Sequence, residues 1–255
     1  MSTSRLGQSE NLEKFWSEQL LDQPNAKIHI NSVSKDTIRS FPEVEEYPYE
    51  GQIKLFGSLE YEIPGRGDNS FIRSGNYEYR SASGLFLLNS QTDRPRPSEV
   101  FSEINQLVSN SAEIEDYLSL NREDLWRFLE DANSIEKLVV RGPKGEYDAT
   151  LLAEILQREN PKKELAQAEL THKEKQSLNA VLDQISIPDE FDNIHDLDID
   201  WYDTVIDQIE ATYCYDGYFS TIIFKRGSIK IDAETDNSRE YLLQLFEREV
   251  VQTQV

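Results

Sequence analysis

From residue 26 to 90, and again from about 209 to 234, apolar side chains return at every second position, the period of a strand with one buried face. AKIHINSV sets Ile28 and Ile30 against His29 and Asn31. GQIKLFGSLEYEI continues with Ile53, Leu55, Leu59, Tyr61 and Ile63, and NYEYRSASGLFLL closes the run. Pro64-Gly65-Arg66-Gly67-Asp68-Asn69 has the chemistry of a loop between strands. Near the C-terminus IEATYCY and YFSTIIF are rich in β-branched and aromatic residues. Lys225-Arg226-Gly227-Ser228 reads as a hairpin turn, and SIKIDAE alternates Ile229 and Ile231 with polar residues.

Between these strand-rich ends the period changes. ENLEKFWSEQLLD (residues 10–22) places Leu12, Phe15, Trp16 and Leu20 on one helical face. DRPRPSEVFSEINQLV reads as a linker entering a helix, with Ser98 as cap and Val100, Ile104 and Leu107 as its stripe. A helix is expected over 121–131, capped by Asn121, with Leu125, Phe128 and Leu129 inward. IEKLVV (135–140) reads as a strand, with RGPKGE as its turn. Further helices are expected over 148–160, capped by Asp148, from Pro161 through KKELAQAEL, and after the capping box Thr171 to Glu174. SREYLLQLFEREV carries Leu242, Leu245, Phe246 and Val250 on a last helical stripe, with Ser238 as cap. The expected class is therefore α+β: an antiparallel sheet-rich N-terminal part, central helices and a C-terminal ββα unit. Two domains are expected, a β-rich one over 1–95 with an N-terminal helix, and an α+β one over 96–255.

FSTIIFKRGSIKIDAETDNSREYLLQLFEREV is similar to the strand-turn-strand-helix half-repeat of the TATA-box-binding protein fold. The similarity covers about 32 residues and rests on one glycine and the hydrophobic pattern. It brings no DNA-contacting residue to this chain, so it implies architecture alone.

Charge narrows the function classes. The 255 residues carry 48 Asp and Glu against 26 Lys and Arg, a net charge of -22. Such a surface repels nucleic acid and acidic lipid, so direct nucleic-acid binding is not expected. The 38% hydrophobic and 10% aromatic content is enough for a buried core. Residues 161–212 hold 13 acids and four bases, the steepest imbalance in the chain. At molar salt the Debye length falls to ~3 Å and such self-repulsion largely vanishes. The acid excess, the 12 lysines and the single methionine fit a salt-adapted, halophilic archaeal host or its mobile elements. No apolar stretch reaches the ~18 residues of a membrane span, and MSTSRLGQSENLEKFW lacks a signal peptide's apolar core, so a cytoplasmic protein without membrane partners is expected. The lone Cys214 has no second thiol for a disulfide or a metal and reads as a small buried residue in TYCY.

DEFDNIHDLDIDWYD is the densest carboxylate cluster. Asp196, Asp198 and Asp200 alternate, with Asp207 beyond, and hard divalent cations take several such oxygens. An EF-hand is not expected, because Trp201 stands where the loop needs glycine and Asp207 where a bidentate Glu belongs. The plainer reading is an acidic loop leading into a strand. His29, His172 and His195 fall in a strand, at a helix start and in the acidic loop, and no nucleophile elbow accompanies them. GRGDN lacks the spacing of a phosphate or dinucleotide loop. Arg66, Arg73, Arg80, Arg94 and Arg96 lie among Tyr77, Tyr79 and Phe86. If alternation holds, Arg73, Tyr77 and Tyr79 share a sheet face, the aromatic-basic arrangement of an interaction surface.

No catalytic spacing emerges, and no cofactor beyond a divalent cation is suggested. The leading expectation is a non-enzymatic protein that binds another macromolecule, a protein, through aromatic-rich strands and open sheet edges. Two alternatives differ in class. One is an acidic DNA mimic that occupies a DNA-binding enzyme. The other is a metal-dependent phosphodiesterase or nuclease that uses the carboxylates of 189–207.

Overall fold

The computed structural model describes residues 3–10, 12, 27–64, 70–90, 97–108, 112–115, 125, 127–129, 131–142, 145–148, 150, 185–186, 198–199 and 205–251. The chain forms two compact units. The first comprises residues 1–119 with 227–230, and the second comprises essentially residues 120–226 and 231–253.

In the first unit the long alternating run becomes an antiparallel sheet. β1 (Ser4–Gln8), β2 (Ile28–Ile30), β3 (Ser34–Thr37), β4 (Ile53–Pro64), β5 (Ser70–Arg80) and β6 (Leu85–Ser90) are ordered β2-β4-β5-β6-β1, and β3 pairs with the other end of β4. Ser4 and Arg5 also pair with Ile229 and Ser228 of the returning chain. Direct pairing in an antiparallel ladder puts partners on one face, so Leu55, Leu59 and Tyr61 of β4, Tyr77 and Tyr79 of β5, and Phe86 and Leu88 of β6 form one apolar layer. That layer packs on Val100, Phe101 and Ile104 of helix α1 (Pro97–Asn105) and on Ala112 and Ile114. The Asn105 side chain fixes the 112–115 segment by donating to the Ile114 carbonyl (2.9 Å) and accepting from its N–H (2.7 Å).

In the second unit β7 (Ser134–Gly142), β8 (Gly145–Asp148), β11 (Val205–Tyr215) and β12 (Tyr218–Lys225) are ordered β8-β7-β11-β12. Two short strands, β9 (Ile185–Ser186) and β10 (Asp198–Ile199), pair with each other. Arg226 and Gly227, both at positive φ, turn β12 into β13 (Ser228–Ala233), whose residues 228–230 belong to the first unit. Helix α2 (Asp236–Phe246) follows and runs into a π-type turn over Glu247–Val251. Leu242, Leu243, Leu245 and Phe246 are buried in a core shared with Ile209, Ala211, Tyr213, Ile222, Phe224 and Phe128. Phe128 stands edge-on to Phe246 at 5.7 Å and lies 5.1 Å from the Tyr213 ring, whose hydroxyl donates to the Phe128 carbonyl at 2.8 Å.

The α+β class with central helices is corrected: the described residues are mostly antiparallel strand with few helices. The period-two runs extend further than expected, to 12 residues in β4 and 11 in β5 and β11. Strand β1 forms at Ser4–Gln8, where the sequence marks no element, and Asp148, expected as a helix cap, ends β8 two residues before the helical Thr150. Thr235, not Ser238, caps α2, accepting from the Ser238 N–H at 3.0 Å. The expected helices over 151–184 and most of the one over 10–22 lie outside the described residues; of the latter, Leu12 is buried. Leu125, Phe128 and Leu129 are helical and buried, as their spacing over 121–131 predicts.

Candidate interaction surfaces

A folded sheet buries its apolar face, so large apolar side chains left in solvent mark surfaces that other molecules can use. Four such residues lie at two hairpin ends, one in each unit. In the first, every residue of Ser70–Ser74 is exposed, with Phe71 57% and Ile72 70% accessible. β2 accompanies β4 here as far as Tyr61, opposite Arg73, while on the other side the described residues of β6 pair with Gly75–Tyr79, so among the described residues Ser70–Ser74 are paired with β4.

In the second unit Tyr215-Asp216-Gly217-Tyr218 makes a two-residue turn with φ of 49° at Asp216 and 80° at Gly217, the type I′ geometry that suits strand twist. The turn carries Tyr218 and Phe219 into solvent, 44% and 57% accessible. Beside them Tyr215 stacks on Tyr241 of α2 at 4.6 Å, which anchors the hairpin end to the helix. Phe219 pairs across the ladder with Cys214, which is half-buried.

The expected aromatic-basic face separates on folding. Arg73 is exposed although it stands opposite the buried Tyr61 of β4, whereas Tyr77 and Tyr79 are buried. Their hydroxyls donate inward to the Ser32 and Ser9 carbonyls, at 2.7 and 3.2 Å. Alternation puts the three on one face, but along β5 burial of that face ends at Gly75. Arg80 is wholly buried and pairs with Glu78 at 3.0 Å, so it offers no basic surface. Arg66, Arg94 and Arg96 lie outside the described residues.

Of the four carboxylates considered for a metal, Asp196 and Asp200 lie outside the described residues, and Asp198 begins β10. Asp207 occupies the bulge of β11, between Ile206, opposite Val140, and Gln208, opposite Val139. The extra residue of a bulge turns its side chain out of the regular alternation. The 4%-exposed carboxylate meets Arg226 Nε at 3.0 Å and is bonded by Arg141 Nη2, so two guanidiniums neutralise it. Among the described residues no cluster of three or more His, Cys, Asp or Glu has the geometry to hold a metal. His29 sits exposed in β2, and His172 and His195 are outside the described residues.

Sequence reasoning missed the Phe71-Ile72 and Tyr218-Phe219 ends. The adjacent apolar pairs were their signal, because two consecutive large apolar residues cannot both face the same core from one strand. Among the described residues no helix is long and apolar enough to cross a membrane. No protein-family model, curated protein or solved structure matches this chain.

Proposed function

We propose that this chain is a non-enzymatic binding protein whose partner is another protein, contacted through the aromatic end of the β11–β12 hairpin. The observation that carries this reading is the exposure of Tyr218 and Phe219 on a rigid type I′ turn braced by the Tyr215–Tyr241 stack. Rigid aromatic side chains on a preorganised element supply contact area with little loss of conformational entropy, and such residues dominate protein interfaces. The net charge of -22 favours a partner of opposite sign, since long-range attraction accelerates encounter while the aromatic contact holds the complex.

The test compares wild-type protein with a Tyr218→Ser/Phe219→Ser variant in affinity capture at molar and at low potassium chloride. A discrete protein retained by wild type and lost by the variant is the expected result. Equal retention would move the interface elsewhere, and retention of nothing at either salt would end the protein-binding reading.

A further inference from the structure

We infer that the protein partner lays an arginine side chain over the Phe219 ring, between the carboxylates of Asp216, Asp232 and Glu234. This rests on the protein-binding reading of the β11–β12 end and adds the chemistry of the group that is recognised there.

Strand register brings these side chains together. Arg226 and Gly227, at φ of 48° and 72°, make a two-residue turn, so β12 and β13 pair outward from Lys225 and Ser228. Counting along both strands sets Thr221 opposite Asp232, and brings Glu234, the residue after β13, alongside Phe219. Ser220, Ile222 and Phe224 are buried, so Phe219 and Thr221 lie on the other face of the ladder, with Asp232 and Glu234. Asp216 stands in the turn that ends the hairpin. Phe219 is 57% accessible, Asp216 and Glu234 are exposed, and Asp232 is half-buried. Among the described residues none of the three carboxylates has a hydrogen-bond or ion-pair partner. Lys225 and Lys230 stand toward the Arg226-Gly227 turn, at the opposite end of this hairpin from Phe219.

Charge complementarity identifies the occupant. A purely apolar or an anionic group docked on Phe219 would take water from carboxylates that have no partner, which is costly. A cation is attracted both by the face of the ring and by the carboxylates around it. Of the two cationic side chains that are charged at every working pH, arginine fits better. Its planar guanidinium stacks on an aromatic face while its edge still donates to carboxylates, whereas the compact ammonium of lysine is more strongly hydrated. The net charge of -22 steers a basic segment toward the chain, and the exposed ring gives it a place to stop.

The experiment titrates the full chain with a hexa-arginine peptide in about 0.15 M potassium chloride and follows the backbone amide resonances, with hexa-lysine and spermine as comparisons. The largest shifts should fall at residues 216–221 and 232–234. Asp216→Asn/Asp232→Asn/Glu234→Gln should weaken binding about tenfold or more. Glu43→Gln/Glu46→Gln/Glu50→Gln removes the same charge from exposed positions of the first unit and should change it far less. Phe219→Leu keeps an apolar side chain without the ring face and should weaken binding, while Phe219→Trp, the best ring for a cation, should tighten it. Equal loss in the two triple variants, Phe219→Leu indistinguishable from wild type, or hexa-lysine or spermine bound as tightly as hexa-arginine would each overturn the inference. Affinity capture keeps its failure distinct from that of the protein-binding reading. A protein retained by the Asp216→Asn/Asp232→Asn/Glu234→Gln variant but lost by Tyr218→Ser/Phe219→Ser would overturn recognition of arginine and leave the protein interface in place.

Discussion

A methyl group added at Gly57 would sit 1.9 Å from the Ser32 carbonyl oxygen and 2.8 Å from the Tyr77 hydroxyl. Glycine is needed there for space, because the Tyr77 side chain crosses it to reach that carbonyl. Gly57→Ala should lower unfolding stability by about 3 kcal/mol or more, read by chemical denaturation, since backbone rather than a flexible side chain must move. Gly217 has nothing within 4 Å of the same position but lies at φ +80°, so Gly217→Ala should cost only the backbone term, about 1 kcal/mol. If the two losses are equal, close approach at Gly57 is not the constraint. Tyr213 titrates well above the usual tyrosine value, first through desolvation by burial and then through the nearby Asp131, Tyr241 and Glu136. In the unfolded chain the phenol ionises near pH ~10, while the folded state holds its proton. The folded pKa is thus the higher one, and Tyr213 contributes stability that is complete below pH ~10 and lost as pH rises above it. Tyr213→Phe should remove about 1 kcal/mol at neutral pH, through the hydrogen bond to Phe128, and flatten the alkaline limb of the stability curve.

At the scale of elements, helix α2 depends on its start. Thr235 accepts from the Ser238 N–H and shares a 2.6 Å hydroxyl contact with Ser238, which is wholly buried. Thr235→Ala should cost about 1 kcal/mol, and Thr235→Asp should restore most of it by capping the same N–H. A Ser238→Ala loss as large, with Thr235→Ala silent, would return the cap to Ser238. The competition between these residues was legible in the sequence, but its outcome was not. Thr, Asp, Asn and Ser at 235–238 all suit a helix start, and only the backbone that enters from β13 selects among them. The hairpins were more legible: Arg226-Gly227 and the alternating Ile229 and Ile231 mark a turn and strand by local chemistry. β1 was not, because Ser-Arg-Leu-Gly-Gln has one large apolar residue, and its place beside β6 follows from pairing with residues about 80 positions away.

For the whole molecule, charge sets the response to solvent. With -22 on 255 residues, compaction concentrates like charge, and screening relieves it. The thermal midpoint should rise steadily as potassium chloride goes from about 0.1 M to about 2 M, and a flat or falling midpoint would remove salt adaptation as the explanation of the acid excess. Charge and strand periodicity are properties of the chain itself, additive or local, and the sequence by itself determined both: a strongly acidic protein with strand-rich ends, a hairpin turn at Arg226–Gly227 and an amphipathic last helix. Only the tertiary structure decided which residues of one alternating face are core and which are surface. Arg73, Tyr77 and Tyr79 share a parity, yet the tyrosines are buried in one core with Phe101 and Ile104 of α1 while Arg73 stays in solvent. The same holds at Asp207, where a one-residue bulge turns a candidate metal ligand toward Arg141 and Arg226. Exposure and side-chain direction depend on where distant elements end against one another, and no local pattern in a sequence records that distance.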